Sequence, residues 1–146
     1  SWTEVGDLTT ARYSGAGASS GTPTAALLFG GNKLPDPPYG ATETESYNGT
    51  AWTELADLGT ARYGLGGVGT QTDALAFGGS FPDKTETEAW DGTAWTEVAD
   101  LAVARASGGG FGGPTSAVWA AGNSTAPKNA SEEWTRAATT LTVTTS

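Results

Sequence analysis

Residues 42–79 read TETESYNGTAWTELADLGTARYGLGGVGTQTDALAFGG. Most of the stretch returns at 85–122, beginning TETEAWDGTAWTEVADLAVAR, and its WTE…R part stands once more at the start as WTEVGDLTTAR, residues 2–12. Trp2, Trp52 and Trp95 are 50 and then 43 residues apart, and Arg12, Arg62 and Arg105 each follow their Trp by ten. A repeat of this length is one supersecondary unit that cannot bury its apolar face alone, so neighbouring units must stack.

Composition narrows the function classes. At 146 residues the chain has the size of one domain, taken here as 1–146. No apolar run reaches the length of a membrane span, so no membrane insertion is expected. There is no His and no Cys, which removes imidazole bases, Ser-His-Asp triads, thiolate metal sites and disulfides from this chain. No cofactor and no metal site is expected. The net charge of −9 and the scatter of the seven basic residues argue against nucleic acid. The chain begins at Ser1 and has no Met, which reads as a processed, excised or engineered product.

Aligned on the Trp, each unit reads as four short strands, so the expected class is all-β with almost no helix. The first follows the Arg and is rich in Gly, Ala and Ser (Arg12–Ser19, Arg62–Gly69, Arg105–Gly112). The second is apolar (Ala25–Gly31, Ala74–Gly79, Ala117–Gly122), as in strands buried on both faces. The third is TETE with an aromatic (Thr42–Tyr47, Thr85–Trp90), with Ala130–Trp134 as a degenerate copy. Asn48-Gly49 and Asp91-Gly92 then give tight turns into the fourth, Ala51–Leu55 and Ala94–Val98. The first two units differ in length by the Pro-rich loop NKLPDPPYGA, Asn32–Ala41, which reads as a tolerated surface insertion, with a recognition loop as the alternative.

This pattern resembles the kelch repeat. The marks are a Gly doublet closing an apolar strand, an aromatic in the next strand, and a Trp followed by x-x-[LV]-x-x-x-x-x-x-R. They stand as Gly30, Gly31, Tyr47 and Trp52, and again as Gly78, Gly79, Trp90 and Trp95. The third copy keeps Ala121-Gly122 and Trp134 but lacks the following Trp. The resemblance covers nearly the whole chain and implies a β-propeller with one four-stranded blade per unit, here about 12–55, 62–98 and 105–146. The small residues of the first strand suit the innermost position of a blade, where backbones converge. The wording is also similar to kelch-type arrays of bacteriophage and environmental proteins, which implies a virion-associated or extracellular setting.

Kelch propellers usually have six or seven blades, and this chain carries three. Ser1–Val5 is a fourth strand without its first three partners. The expectation is that it completes the third blade of another chain, so that a homodimer closes six blades or a homotrimer nine, in a head-to-tail contact. The competing closing strand is Thr139–Thr145 of the same chain, which would leave Trp2 without a place.

The recurring Arg12, Arg62 and Arg105 are expected to be structural, paired with Asp7, Asp57 and Asp100 or with carbonyls. A ring of cations that binds an anion is the sharper alternative. Glu43, Glu45, Glu86 and Glu88 lie at i, i+2 and are expected to form a solvated edge rather than a catalytic pair. Trp2, Trp52, Trp90, Trp95 and Trp134, with Tyr47, are expected to fill the space between blades. TETEAWDGTAW also resembles small bacterial and fungal propeller lectins, which makes Glu88, Trp90, Asp91 and Tyr39 the candidates for contact with a glycan. The chain is thus expected to be a non-enzymatic oligomeric scaffold, with a carbohydrate-binding propeller and an excised or engineered fragment without a ligand as the alternatives.

Overall fold

A computed structural model describes residues 1–33, 39–80, 82–123 and 129–137. Among them there are eleven strands and no helix: β1 Ala16–Gly17, β2 Ala26–Phe29, β3 Thr44–Tyr47, β4 Trp52–Glu54, β5 Gly66–Gly69, β6 Ala74–Phe77, β7 Thr87–Trp90, β8 Trp95–Glu97, β9 Gly109–Gly113, β10 Ser116–Ala120 and β11 Ser131–Thr135. They form three antiparallel meanders, β1-β2-β3-β4, β5-β6-β7-β8 and β9-β10-β11. The architecture is all-β, with one sheet per sequence repeat, and is consistent with a propeller-like repeat fold. Each sheet falls inside the unit that its Trp and Arg mark.

The registers repeat as closely as the sequence does. Tyr47 faces Trp52 across β3 and β4, and Trp90 faces Trp95 across β7 and β8. The turns between them share one device. Asn48 Oδ1 accepts from the amides of Thr50 and Ala51, and Asp91 Oδ1 accepts from those of Thr93 and Ala94. Only the first central residue, Gly49 or Gly92, takes positive φ, the backbone of a II′-like hairpin turn.

The sheets stack through their inner strands, with β5 between β1 and β9. This is why the first strand is built of glycine. A Cβ at Gly66 would lie 2.1 Å from Trp119 of the third sheet, and one at Gly67 would lie 2.7 Å from Phe29 of the first. Consecutive strand residues point to opposite faces, so two adjacent glycines admit one aromatic ring from each side. Two apolar clusters result. Phe29, Leu27, Leu58, Ala76 and Trp90 fill the junction between the first and second sheets. Val68, Leu75, Phe77, Ala117 and Trp119 fill the junction between the second and third. Burying a large side chain of this kind contributes about 1.5–3 kcal/mol.

The two ends of the stack differ from its middle. Residues 1–8 form no strand, and Trp2 is fully exposed, at 103%. Among the described residues the third sheet has three strands, and none lies on the far side of β11 as β4 and β8 lie beside β3 and β7. Residues 139–145, the competing closing strand, lie outside the described residues, as do 34–38 of the Pro-rich loop.

Candidate functional site

The repeated arginines sit at the junctions, each in a cage built by its own repeat. Arg62 is fully buried, and its Nη2 pairs with Glu88 Oε1 at 2.9 Å. Its guanidinium also donates to the carbonyls of Gly78 and Glu86. Arg105 pairs with Glu132 at 2.7 Å and donates to the carbonyls of Ala121 and Ala130. Arg12 pairs with Glu45 at 3.0 Å, as a charge contact without hydrogen-bond geometry. The second oxygen of each carboxylate takes a backbone amide seven residues after the Trp: Thr9 on Glu45, Gly59 on Glu88 and Ala102 on Glu132. Each glutamate thus ties the entering connection to the third strand of the sheet it enters. Burial pulls the Arg62 guanidinium below its ordinary value, while Glu88, Glu86 and Asp100 draw it back up.

Two expectations are corrected here. The expected carbonyl contacts are present at Arg62 and Arg105, but the acids that pair with the three arginines are glutamates rather than Asp7, Asp57 and Asp100. Asp57 accepts from the Thr42 hydroxyl and Asp100 from the Thr87 amide, so these acids brace the third strand instead. Glu45 and Glu88 are not a solvated edge, being 0% and 4% exposed. The first acid of each TETE is only partly exposed, at 14% for the Glu43 side chain and 33% for that of Glu86. Glu43 pairs with Lys33, and Glu86 lies 3.8 Å from Lys84. Glu132 was missed by sequence reasoning. Its signal was its place two residues before the strand aromatic, the place Glu45 and Glu88 also hold before Tyr47 and Trp90.

The Gly doublets belong to the same junction. Gly31 donates to the Arg62 carbonyl and Gly79 to the Arg105 carbonyl, each at 2.9 Å. Gly30 and Gly78 take φ near +62°, and a Cβ there would lie 2.9 and 2.7 Å from those same carbonyl oxygens. In the third sheet Ala121 takes this left-handed φ in place of a glycine.

The aromatics divide into filled and unfilled places. Trp95 packs edge-on to Phe29 at 4.9 Å, tilts against Trp90 at 5.3 Å, and donates Nε1–H to Thr44 Oγ1 at 2.9 Å. Trp90 is 1% exposed and donates to the Gln71 carbonyl. Trp119, which sequence reasoning passed over, lies edge-on to Phe77 at 5.1 Å. Trp52 is half-buried against Tyr47, and Trp134 is half-buried. A pocket lies between the second and third sheets, lined in part by Phe77, Thr87, Leu101, Trp119 and Trp134. A more open cleft beside it is bordered by Asp73, Asp91, Trp134 and Arg136.

The four glycan candidates do not form one surface. Glu88 and Trp90 are held inside the junction, Asp91 shapes an exposed turn, and Tyr39 is half-exposed on the loop connection. Comparison with protein families finds no match, and comparison with curated proteins finds none either. The likeness to kelch repeats therefore rests on the residue pattern and on one sheet per repeat.

Proposed function

We propose that this chain is a non-enzymatic, kelch-like propeller segment that closes into a ring with copies of itself and serves as a structural or binding scaffold. Six blades from two chains is the arrangement expected, with nine from three as the alternative. The observation that supports it is a pair of unlike surfaces: an exposed WTE segment at Trp2, and a β11 edge with no neighbouring strand among the described residues. Open sheet edges invite pairing, and a contact between unlike ends that closes by rotation yields a ring. The absence of His and Cys from the sequence and the commitment of Glu45, Glu88 and Glu132 to buried ion pairs support a scaffold over an enzyme. Light scattering at micromolar concentration tests it. The expected mass is that of two chains, and a folded monomer overturns the proposal.

A second reading, a carbohydrate-binding propeller, is favoured by the cleft beside Trp134, where an indole, two carboxylates and a guanidinium meet. An aromatic face with nearby polar groups is the usual make-up of a small-molecule site. A glycan array separates the two, since a lectin gives strong hits and a scaffold none.

A further inference from the structure

We infer that the pocket between the second and third sheets is a tryptophan seat, open among the described residues, and that its occupant is Trp2 of a second copy of this chain. The inference deepens the self-assembling reading and rests on it. The filled version of the seat is one junction away. There Trp95 of β8 leans on Phe29, Thr44 and Trp90. One repeat further on, the same places are taken by Phe77, Thr87 and Trp134, and all three line the pocket. Its walls are more open than their filled equivalents. Trp134 is half-buried where Trp90 is at 1%, and Leu101 is half-buried where Leu58 is at 3%.

The occupant follows from the repeat's own connectivity. In both internal cases the WTE strand belongs to the sheet just before the one whose Glu captures the amide seven residues later. Thr9 is captured by Glu45 of the first sheet, so Trp2-Thr3-Glu4 belongs to a sheet preceding the first. The third sheet of another copy is the sheet with that place open among the described residues. The expected register copies β7 and β8: Trp2 opposite Trp134, Thr3 opposite Glu133, Glu4 opposite Glu132. The facing glutamates are no obstacle, because Glu88 faces Glu97 in the same way with Arg62 neutralising it. One detail must differ between copies. Ala121 stands where a Cβ on Gly30 or Gly78 would lie under 3 Å from the next Arg carbonyl, so the second copy's Arg12 carbonyl must sit slightly further out.

The chain has no cysteine, which allows a clean cross-link test. In a T3C/E133C variant the paired strands bring the two Cα atoms to about 5.5 Å, within disulfide range. Oxidation is expected to give covalent multimers on a non-reducing gel, while the off-register T3C/T135C variant stays mostly monomeric. Trp2→Ala is expected to weaken self-association by about a hundredfold or more, as for an interface hot spot, and Trp2→Phe to recover part of it. If the unaltered chain is an oligomer but T3C/E133C does not cross-link, or Trp2→Ala leaves its mass unchanged, this inference falls and the self-assembling reading survives. If the unaltered chain is a folded monomer, both fall.

Discussion

Glu88 shows how much a single side chain can change meaning between sequence and structure. As one member of an i, i+2 pair on an outer strand it reads as a solubilising charge. In the fold it is the counter-ion of a fully buried arginine and the acceptor of the Gly59 amide. Removing one partner of a buried pair leaves an uncompensated charge, at about 3–5 kcal/mol. Glu88→Ala is therefore expected to lower the urea midpoint sharply, whereas Glu86→Ala, 3.8 Å from a lysine at the rim, should stay within about 0.5 kcal/mol. Equal effects in denaturation would mean that the two acids are not divided by burial as described. Trp95→Ala should cost about 3–5 kcal/mol, because it empties a filled seat. In an isolated chain Trp52→Ala should cost clearly less, since that ring is half-buried; paired chemical melts decide this.

The hairpin between the third and fourth strands is the element most legible in the sequence. Asn-Gly and Asp-Gly stand where the chain must reverse, and the side-chain carboxyl or amide caps the two amides that the turn leaves free. Asp91 carries a pH signature. The Thr93 hydroxyl first, then the amides of Ala94 and Thr93, hold its carboxyl below the ordinary carboxylate value. A carboxyl depressed by folding contributes stability that is present above its unfolded pKa, about 3.9, and is lost as pH falls through the folded value. The stability gap between the unaltered chain and Asp91→Asn should therefore be constant above about pH 5 and shrink below about pH 4. Thermal melts from pH 7 to 2 read this, and a gap that does not change with pH would remove the carboxylate from the turn's energetics.

At the scale of the whole molecule, the stack is regular inside and unfinished at its ends. Both internal junctions join a Gly doublet, an arginine carbonyl and a caged guanidinium, and the first of them also seats Trp95. The third sheet keeps the cage but shows a seat open among the described residues and an alanine at the doublet. A left-handed alanine carries a penalty of about 1–2 kcal/mol, so Ala121→Gly should stabilise the chain even as a monomer. If copies close on one another, the same change should also tighten association by easing the approach of Arg12 of the partner. Titrating mass against concentration for both chains distinguishes a purely local gain, with melting raised and association unchanged, from a gain at the contact.

The sequence by itself determined the period, the all-β class, the order of strands within each unit and the turns. Those features depend on local chemistry: alternation, Asn-Gly and Asp-Gly, and small residues where backbones converge. It also placed the arginines at structural points. What only the tertiary structure decided was which of two in-phase acids each arginine meets. Both Asp57 and Glu88 repeat with Arg62, and period alone cannot rank them. The choice is made because the connection after the Trp carries the arginine under the next sheet's third strand. There the glutamate two residues before the aromatic points inward and the aspartate points back to a threonine. The WTE segment at Trp2 already stood out in the sequence as a strand without its sheet, whereas the seat beside Phe77 is visible only in the structure. The filled seat of Trp95 is what identifies the place beside Phe77, open among the described residues, as its counterpart.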